Sequence, residues 1–291
     1  MSDAPHTIQS ILELERLELN LFRGRSPDTS WQRVFGGQVI AQALVAAQRT
    51  VGDDRFVHSL HGYFMLGGDP AIPIIYDVER LRDGGSFTTR RVTAIQHGRA
   101  IFSLESSFQI DEPGLEHQTP MPMNVPHPDD LLGQAELVER YGDVLSQEII
   151  RYWRRERPIM LKPVALEHFT TRDKLDPVQK SWVKFRENAP ADRHIRAAML
   201  AYMSDMTLID TSTFPHGRAV FDRDLQVASL DHAMWFHRDD PLDDWMLYSQ
   251  DSPWTGGARG FTRGSIYRRD GTLIASVAQE GLVRVRSQPN K

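Results

Sequence analysis

The chain has 291 residues, enough for one large domain or two of medium size around a sizeable core. Hydrophobic residues are 40% and charged residues 25%, a balance that excludes a disordered chain. The net charge of -5 leaves no global basic footprint, which argues against nucleic-acid binding. With Cys 0, disulfides, thiolate-rich metal sites and a cysteine nucleophile are excluded.

The first residues, Met1 to Gln9, are polar and lack an apolar signal core. No long uncharged apolar run occurs, so no transmembrane span is expected. The end, Gln288-Pro289-Asn290-Lys291, is neither a peroxisomal nor a retention tail, which leaves the cytoplasm as the expected location.

In chain order, Ser10 with Glu13 fits a capping box. It opens a short helix, or else Leu12, Leu14 and Leu17 belong to a first extended segment. A loop follows over Gly24-Arg25-Ser26-Pro27-Asp28. The run Val39 to Ala47 is rich in Ala and Leu and nearly uncharged, which predicts a helix buried on most sides. From Val57 to Ile110 the pattern is that of strands. Ile72 to Val78, Phe87 to Ile95 and Ala100 to Phe108 are separated by Gly84-Gly85 and by His97-Gly98, as antiparallel neighbours require. The stretch 113–128 holds five prolines and reads as a linker. A helical segment from Asp129-Asp130 to about Arg155 follows, with Leu132, Leu137, Tyr141, Val144 and Ile149 as its apolar stripe. Asp192 is placed to cap a helix carrying Ile195, Ala198, Met199 and Tyr202. Strand-like segments then run from Leu225 to Leu230, Trp245 to Tyr248, Gly260 to Tyr267 and Leu273 to Val277.

The second half repeats the first. Val57-His58-Ser59-Leu60-His61 is echoed by Val227-Ala228-Ser229-Leu230-Asp231, and Phe87-Thr88 before Gly98 by Phe261-Thr262 before Gly271. The nearly constant offset predicts two copies of one unit, a helix followed by an antiparallel meander. The expected domains are 1–112, a Pro-rich linker and helix over 113–157, and 158–291.

Common catalytic signatures are missing. No Gly-x-Ser-x-Gly elbow, P-loop or Gly-x-Gly-x-x-Gly fingerprint occurs. Asp231-His232 and His237 lack the spacing of a helical zinc pair, so these histidines, with His58 and His61, read as packing or hydrogen-bonding residues. Neither a metal nor a cofactor is called for. The arginine pairs Arg90-Arg91, Arg154-Arg155 and Arg268-Arg269 permit phosphate recognition through guanidinium forks, and for any one pair a solvated surface role is the better expectation.

Several motifs together resemble the acyl-CoA thioesterase II family. They are Phe22 to Ser26, Arg33 to Val39, Pro73 to Glu79, Asp83-Gly84 with Ser86-Phe87, Ser229 to Arg238, Ala258 to Phe261 and Ala278-Gln279-Glu280-Gly281. They span nearly the whole chain in order. The resemblance implies an α+β double hot-dog fold, each half wrapping a curved antiparallel sheet around one long helix, and hydrolysis of fatty acyl-CoA thioesters by a homo-oligomer. It also implies a catalytic set of Asp205, Ser229 and Gln279, with Ser229 where a relative has threonine. The chemistry suits these types. A carboxylate orients or deprotonates water, while a hydroxyl and a carboxamide each offer donor and acceptor to hold it. Backbone N–H groups near Gly36-Gly37, or the counterpart helix start, are candidate oxyanion donors. At the places matching Gln279 and Asp205 the first half has Ser106 and the segment around Thr50, so one centre per chain is expected, built from second-half residues. The competing readings are an acyl-CoA hydratase or dehydratase using Asp231-His232, and a non-catalytic acyl-CoA binding protein.

Overall fold

The computed structural model describes residues 7–27 and 32–286. The chain's polar opening up to His6, Asp28 of the first loop, and Gln288 to Lys291 lie outside them. The chain is built from antiparallel strands and helices, in an α+β order.

The opening segment combines parts of both readings, a helix that starts before Ser10 and an extended strand that holds Leu17 but not Leu12. Helix α1 (Ile8–Leu12) is followed by strand β1 (Glu15–Glu18). The cap is Thr7 rather than Ser10, since the Ser10 N–H donates to Thr7 Oγ1 over 3.0 Å. Helix α2 (Gly36–Gln48) is buried at every residue from Gly37 onward. Its polar side chains are tolerated because they are bonded. Gln42 donates to the Ile11 carbonyl over 2.6 Å and accepts from Tyr76 Oη over 2.7 Å, and Gln48 donates to the His194 carbonyl.

Contact clustering gives two compact units that interleave along the chain. The first comprises residues 1–118, 187–206 and 231–241. Its strands are β1, β2 (Leu21–Gly24), β3 (Phe56–Phe64), β4 (Ile74–Asp83), β5 (Phe87–Gln96), β6 (Arg99–Gln109) and a later strand, Asp231–Phe236. They pair antiparallel in the order β1-β2-β4-β5-β6-β3, with Asp231–Phe236 beyond β3. The β5–β6 turn places His97 and Gly98 at φ 51 and 69, the doubly positive geometry a tight hairpin needs. Helix α2 lies on this sheet beside the helix Arg193–Ser204, which Asp192 caps by accepting from the His194 N–H.

The second unit comprises 119–186, 207–230 and 242–291. The proline stretch forms no regular element until a 3₁₀ turn at Pro128–Asp130. The single helical segment expected to reach Arg155 is two helices, α3 (Gln134–Tyr141) and α4 (Gln147–Trp153), the second capped by Ser146. Leu137 and Ile149 are buried in their own small core, whereas Val144, in the break, is exposed. Strands β7 (Ile159–Pro163) and β8 (Val178–Phe185), the short helix α5 (Glu167–Thr170) between them, and the strand Asp231–Phe236 had no sequence expectation of their own. The helix Arg193–Ser204 is α6. In the remainder, β9 (Leu225–Ser229) pairs with β13 (Leu273–Val285), and the order continues β13-β12-β11-β8-β7, with β11 (Met246–Gly256) and β12 (Arg259–Arg268). Asp231–Phe236 is β10. A 3₁₀ segment, Leu208–Ser212, packs on β11, β12 and β13. It comes this close because Gly260 and Gly281 face each other across β12 and β13: a Cβ on Gly281 would clash with Ile209, and one on Gly260 would stand 2.5 Å from Ser212 Cβ. Among the described residues no helix is long and apolar enough to cross a membrane.

Candidate active site

Asp205 belongs to the first unit and is the C-cap of α6, where carbonyl oxygens disfavour a negative charge. The structure supplies the compensation. Asp205 Oδ2 accepts the Gly37 N–H over 2.9 Å, so the carboxylate sits at the amino end of α2, the positive pole of that helix. Two glycines permit this. A Cβ on Gly36 would lie 2.7 Å from Asp205 Oδ2, and one on Gly37 would clash with the Tyr202 carbonyl oxygen. The Gly37 N–H, expected as an oxyanion donor, is therefore engaged by the side chain of Asp205.

Ser229 and Gln279 belong to the second unit, and there the structure brings them together. Ser229 is the last residue of β9, paired in register with Gly281, and Gln279 lies two residues earlier on the same face of β13. Gln279 Nε2 donates to Ser229 Oγ over 2.6 Å, and the Gln279 side chain is buried. Opposite it on β12, Thr262 spends its hydroxyl on the Gln279 carbonyl over 3.1 Å, which fixes the strand position from which the amide projects. Ser229 thus has a donor aimed at its oxygen.

The place in the first unit that matches Gln279 is occupied differently. Ser106 is buried opposite Arg90, across β6 and β5. Arg90 is 1% exposed and fully committed: it donates to Thr50 Oγ1 over 2.9 Å, to the Thr50, Arg82 and Thr89 carbonyls, and to Asp83. Neither expectation for Arg90, phosphate recognition or a solvated surface, holds; it pins the end of α2 to the sheet. Arg91, Arg268 and Arg269 pair with carboxylates on the exterior.

Asp231 and His232 are neighbours on β10, so their side chains leave opposite faces of the sheet. His232 is buried, with Nε2 2.8 Å from Ser204 Oγ, and Ser204 Oγ lies 2.9 Å from the Ala201 carbonyl oxygen. His58 bonds Ser107 Oγ over 2.8 Å and His61 packs edge-on to Trp235. Among the described residues no group of three His, Asp or Glu side chains is arranged to hold a metal ion.

Residues 26–109 match the family model of the acyl-CoA thioesterase N-terminal domain, and residues 153–282 that of acyl-CoA thioesterase. Acyl-CoA thioesterase 2 of Haemophilus influenzae is 40% identical, over 98% of this chain and 99% of that protein. The crystal structure of the acyl-CoA thioesterase II TesB2 from Mycobacterium marinum is 42% identical and superposes with a TM-score of 0.79, covering 97% of this chain and 99% of that one. A conserved protein of unknown function with a hot-dog fold from Alicyclobacillus acidocaldarius, 16% identical with a TM-score of 0.78 over 98% of this chain, agrees in fold. The fold is a double hot-dog. The chain belongs to the acyl-CoA thioesterase family.

Proposed function

We propose that this protein hydrolyses fatty acyl-CoA thioesters to free fatty acid and CoA, with Asp205 as the base or water-orienting carboxylate and Ser229 with Gln279 holding the water. The water oxygen adds to the acyl carbon while its proton passes to Asp205. Collapse of the tetrahedral adduct breaks the C–S bond, and the departing sulfur takes up a proton as CoA thiol. Holding the nucleophile against the carbonyl supplies the proximity advantage.

The hydrogen bond between Gln279 and Ser229 is the observation that carries this reading. A buried carboxamide joined to a hydroxyl at a strand end is a polar pair suited to orienting a small molecule. Ser106 stands at the corresponding place in the first unit, opposite a fully committed Arg90, which supports one centre per chain. The hydratase or dehydratase reading is weakened by the opposed faces of Asp231 and His232 and by the tie between His232 and Ser204. Division of the chain into hot-dog domains at 1–112 and 158–291 around the 113–157 linker belongs to the same proposal. So do a homo-oligomeric state, the cytoplasm as compartment and a role in lipid metabolism.

Release of free thiol from a panel of acyl-CoAs, wild type against Asp205→Asn, tests the reading. Asparagine still accepts the Gly37 N–H, so the variant should melt near the wild-type temperature while kcat falls about a hundredfold or more. Near-normal turnover would remove Asp205 from the mechanism. Binding of acyl-CoA by the wild type without thiol release would favour the non-catalytic reading.

A further inference from the structure

The second unit holds a cavity of ≈ 590 Å³ outside the residues placed in catalysis, within the usual size of a small-molecule site. One side is apolar: Ile149 from α4, Phe169 from α5, and Phe221 from the loop before β9, which packs its ring on Tyr152 at 5.1 Å. The rest of the lining includes three guanidinium groups, Arg172, Arg218 and Arg223, together with the carboxylates Glu148, Asp222 and Asp224.

Those arginines are held in place without being exhausted. Arg218 is bound by Asp222 and Asp224. Arg172 spends one nitrogen on Asp222 over 2.7 Å, and Arg223, whose side chain is 92% exposed, reaches Glu148 over 3.3 Å. Each of the last two keeps most of its five N–H donors. The three arginines of the lining are matched by three carboxylates, Glu148, Asp222 and Asp224, which hold them in place. His168 adds a second kind of contact. It lines the cavity, and its Nε2 is buried with no hydrogen-bond partner. Burial lowers its pKa to about 4, so at neutral pH it is an uncharged imidazole able to bond a base edge.

An acyl tail would bury nothing against the guanidinium side. A purine nucleotide uses both sides, because its base stacks on aromatic rings and its phosphates take bidentate Arg contacts. The position is also suitable. Asp224 lines the cavity, and the extended strand β9 runs on from it to Ser229, five residues or about 17 Å away along the chain. That is comparable to the extended pantetheine arm linking the nucleotide of CoA to its sulfur.

We infer that this cavity receives the 3′-phosphorylated adenine nucleotide of CoA, with the base against Phe169, Phe221 and His168 and the phosphates on Arg172 and Arg223. The inference rests on the hydrolase reading and names the substrate recognition that reading leaves open.

The test compares one medium-chain acyl group carried on CoA and on pantetheine, in the wild type, in Arg223→Glu and in Arg172→Gln. Arg223 is exposed and, among the described residues, Glu148 is its one partner, so Arg223→Glu should fold normally. Both variants should raise KM for the acyl-CoA about tenfold with kcat nearly unchanged, and leave kcat/KM for the acyl-pantetheine at the wild-type value. An unchanged KM for acyl-CoA, or an equal loss with both thioesters, overturns the nucleotide site while leaving hydrolysis standing. If the wild type turns over neither thioester, the hydrolase reading fails, and calorimetry with adenosine 3′,5′-bisphosphate judges the cavity by itself. Binding that weakens about tenfold in Arg223→Glu upholds the site, and no binding to the wild type overturns it.

Discussion

Gln279 donates to the hydroxyl of Ser229 across 2.6 Å, on a strand pair whose register puts Ser229 opposite Gly281. The two side chains are therefore one polar unit, and their contributions to turnover should not add. Gln279→Ala leaves Ser229 without the donor that fixes its rotamer, and Ser229→Ala leaves a buried carboxamide short of an acceptor. In a double-mutant cycle on kcat/KM, each single change should lower activity, and the double variant should lose less than the sum. The coupling expected for groups in direct contact is about 1–3 kcal/mol. Strict additivity would mean that the bond seen here does not serve the reaction.

The second relationship at the site is steric. The amino end of α2 reaches the carboxyl end of α6 because residues 36 and 37 have no side chains. Gly37→Ala would drive a methyl group into the Tyr202 carbonyl, and backbone cannot swing aside as a flexible side chain can. Gly37→Ala should lower stability by about 1–3 kcal/mol and reduce kcat by shifting Asp205. Gly85→Ala, where an added Cβ meets nothing within 4 Å, is the control and should melt as the wild type does. Thermal melts of both variants, read alongside thiol release, check the point. Equal stability of the two would show that the helix ends are looser than the geometry implies.

Much of this was legible in the sequence, for identifiable reasons. The uncharged, Ala-rich run declared α2 because an exposed helix carries charged residues over that length. His97-Gly98 marked the β5–β6 turn because its positive-φ backbone favours such residues, and Gly84-Gly85 fall between β4 and β5 as turn signals do. The Asp192 cap was readable from one side chain. Other features were not readable, since they depend on partners distant in the chain. Gly37 and Asp205 are 168 residues apart, and nothing local in either segment announces the bond. Strands β7 and β8 are short and begin or end at or beside Pro158, Pro163 and Pro177, so no strand signal stood out in their sequence. Arg90 sits in a strand of alternating polarity and looked like a surface residue; its burial follows from Thr50 and Asp83, which sequence alone does not bring to it.

Arg90 yields the next prediction. Its guanidinium is buried and bonded to Asp83 over 2.6 Å, so Arg90→Met removes a charge whose partners were arranged around it. The Asp83 side chain is 61% exposed and can return to water, which limits the loss. The Thr50, Arg82 and Thr89 carbonyls have less recourse. A destabilisation of about 2–4 kcal/mol is expected from denaturant unfolding. Turnover per folded molecule should be unchanged, since this unit lacks the Gln279 and Ser229 pair. A rise in kcat on vacating the site would instead point to a second, dormant centre.

Asp210 gives a pH signature. It lies in the 3₁₀ segment over β11 to β13, and burial raises its carboxyl pKa from the ordinary aspartate value of 3.8 to about 7. Its folded-state pKa is above its unfolded value, so between about pH 4 and pH 7 the native state holds a proton that the unfolded chain has released. The stability associated with that proton is fully present below about pH 4 and is lost as pH rises through about 7. Asp210→Asn keeps the backbone carbonyl that accepts from Thr213 and removes the titration. Between pH 5 and pH 8 the wild type should therefore lose stability relative to Asp210→Asn, by up to about 1.4 kcal/mol per pH unit while the group titrates. Guanidinium unfolding at a series of pH values measures the difference directly. Parallel curves for the two proteins would mean that the Asp210 carboxyl reaches water in the native state and titrates as an ordinary aspartate.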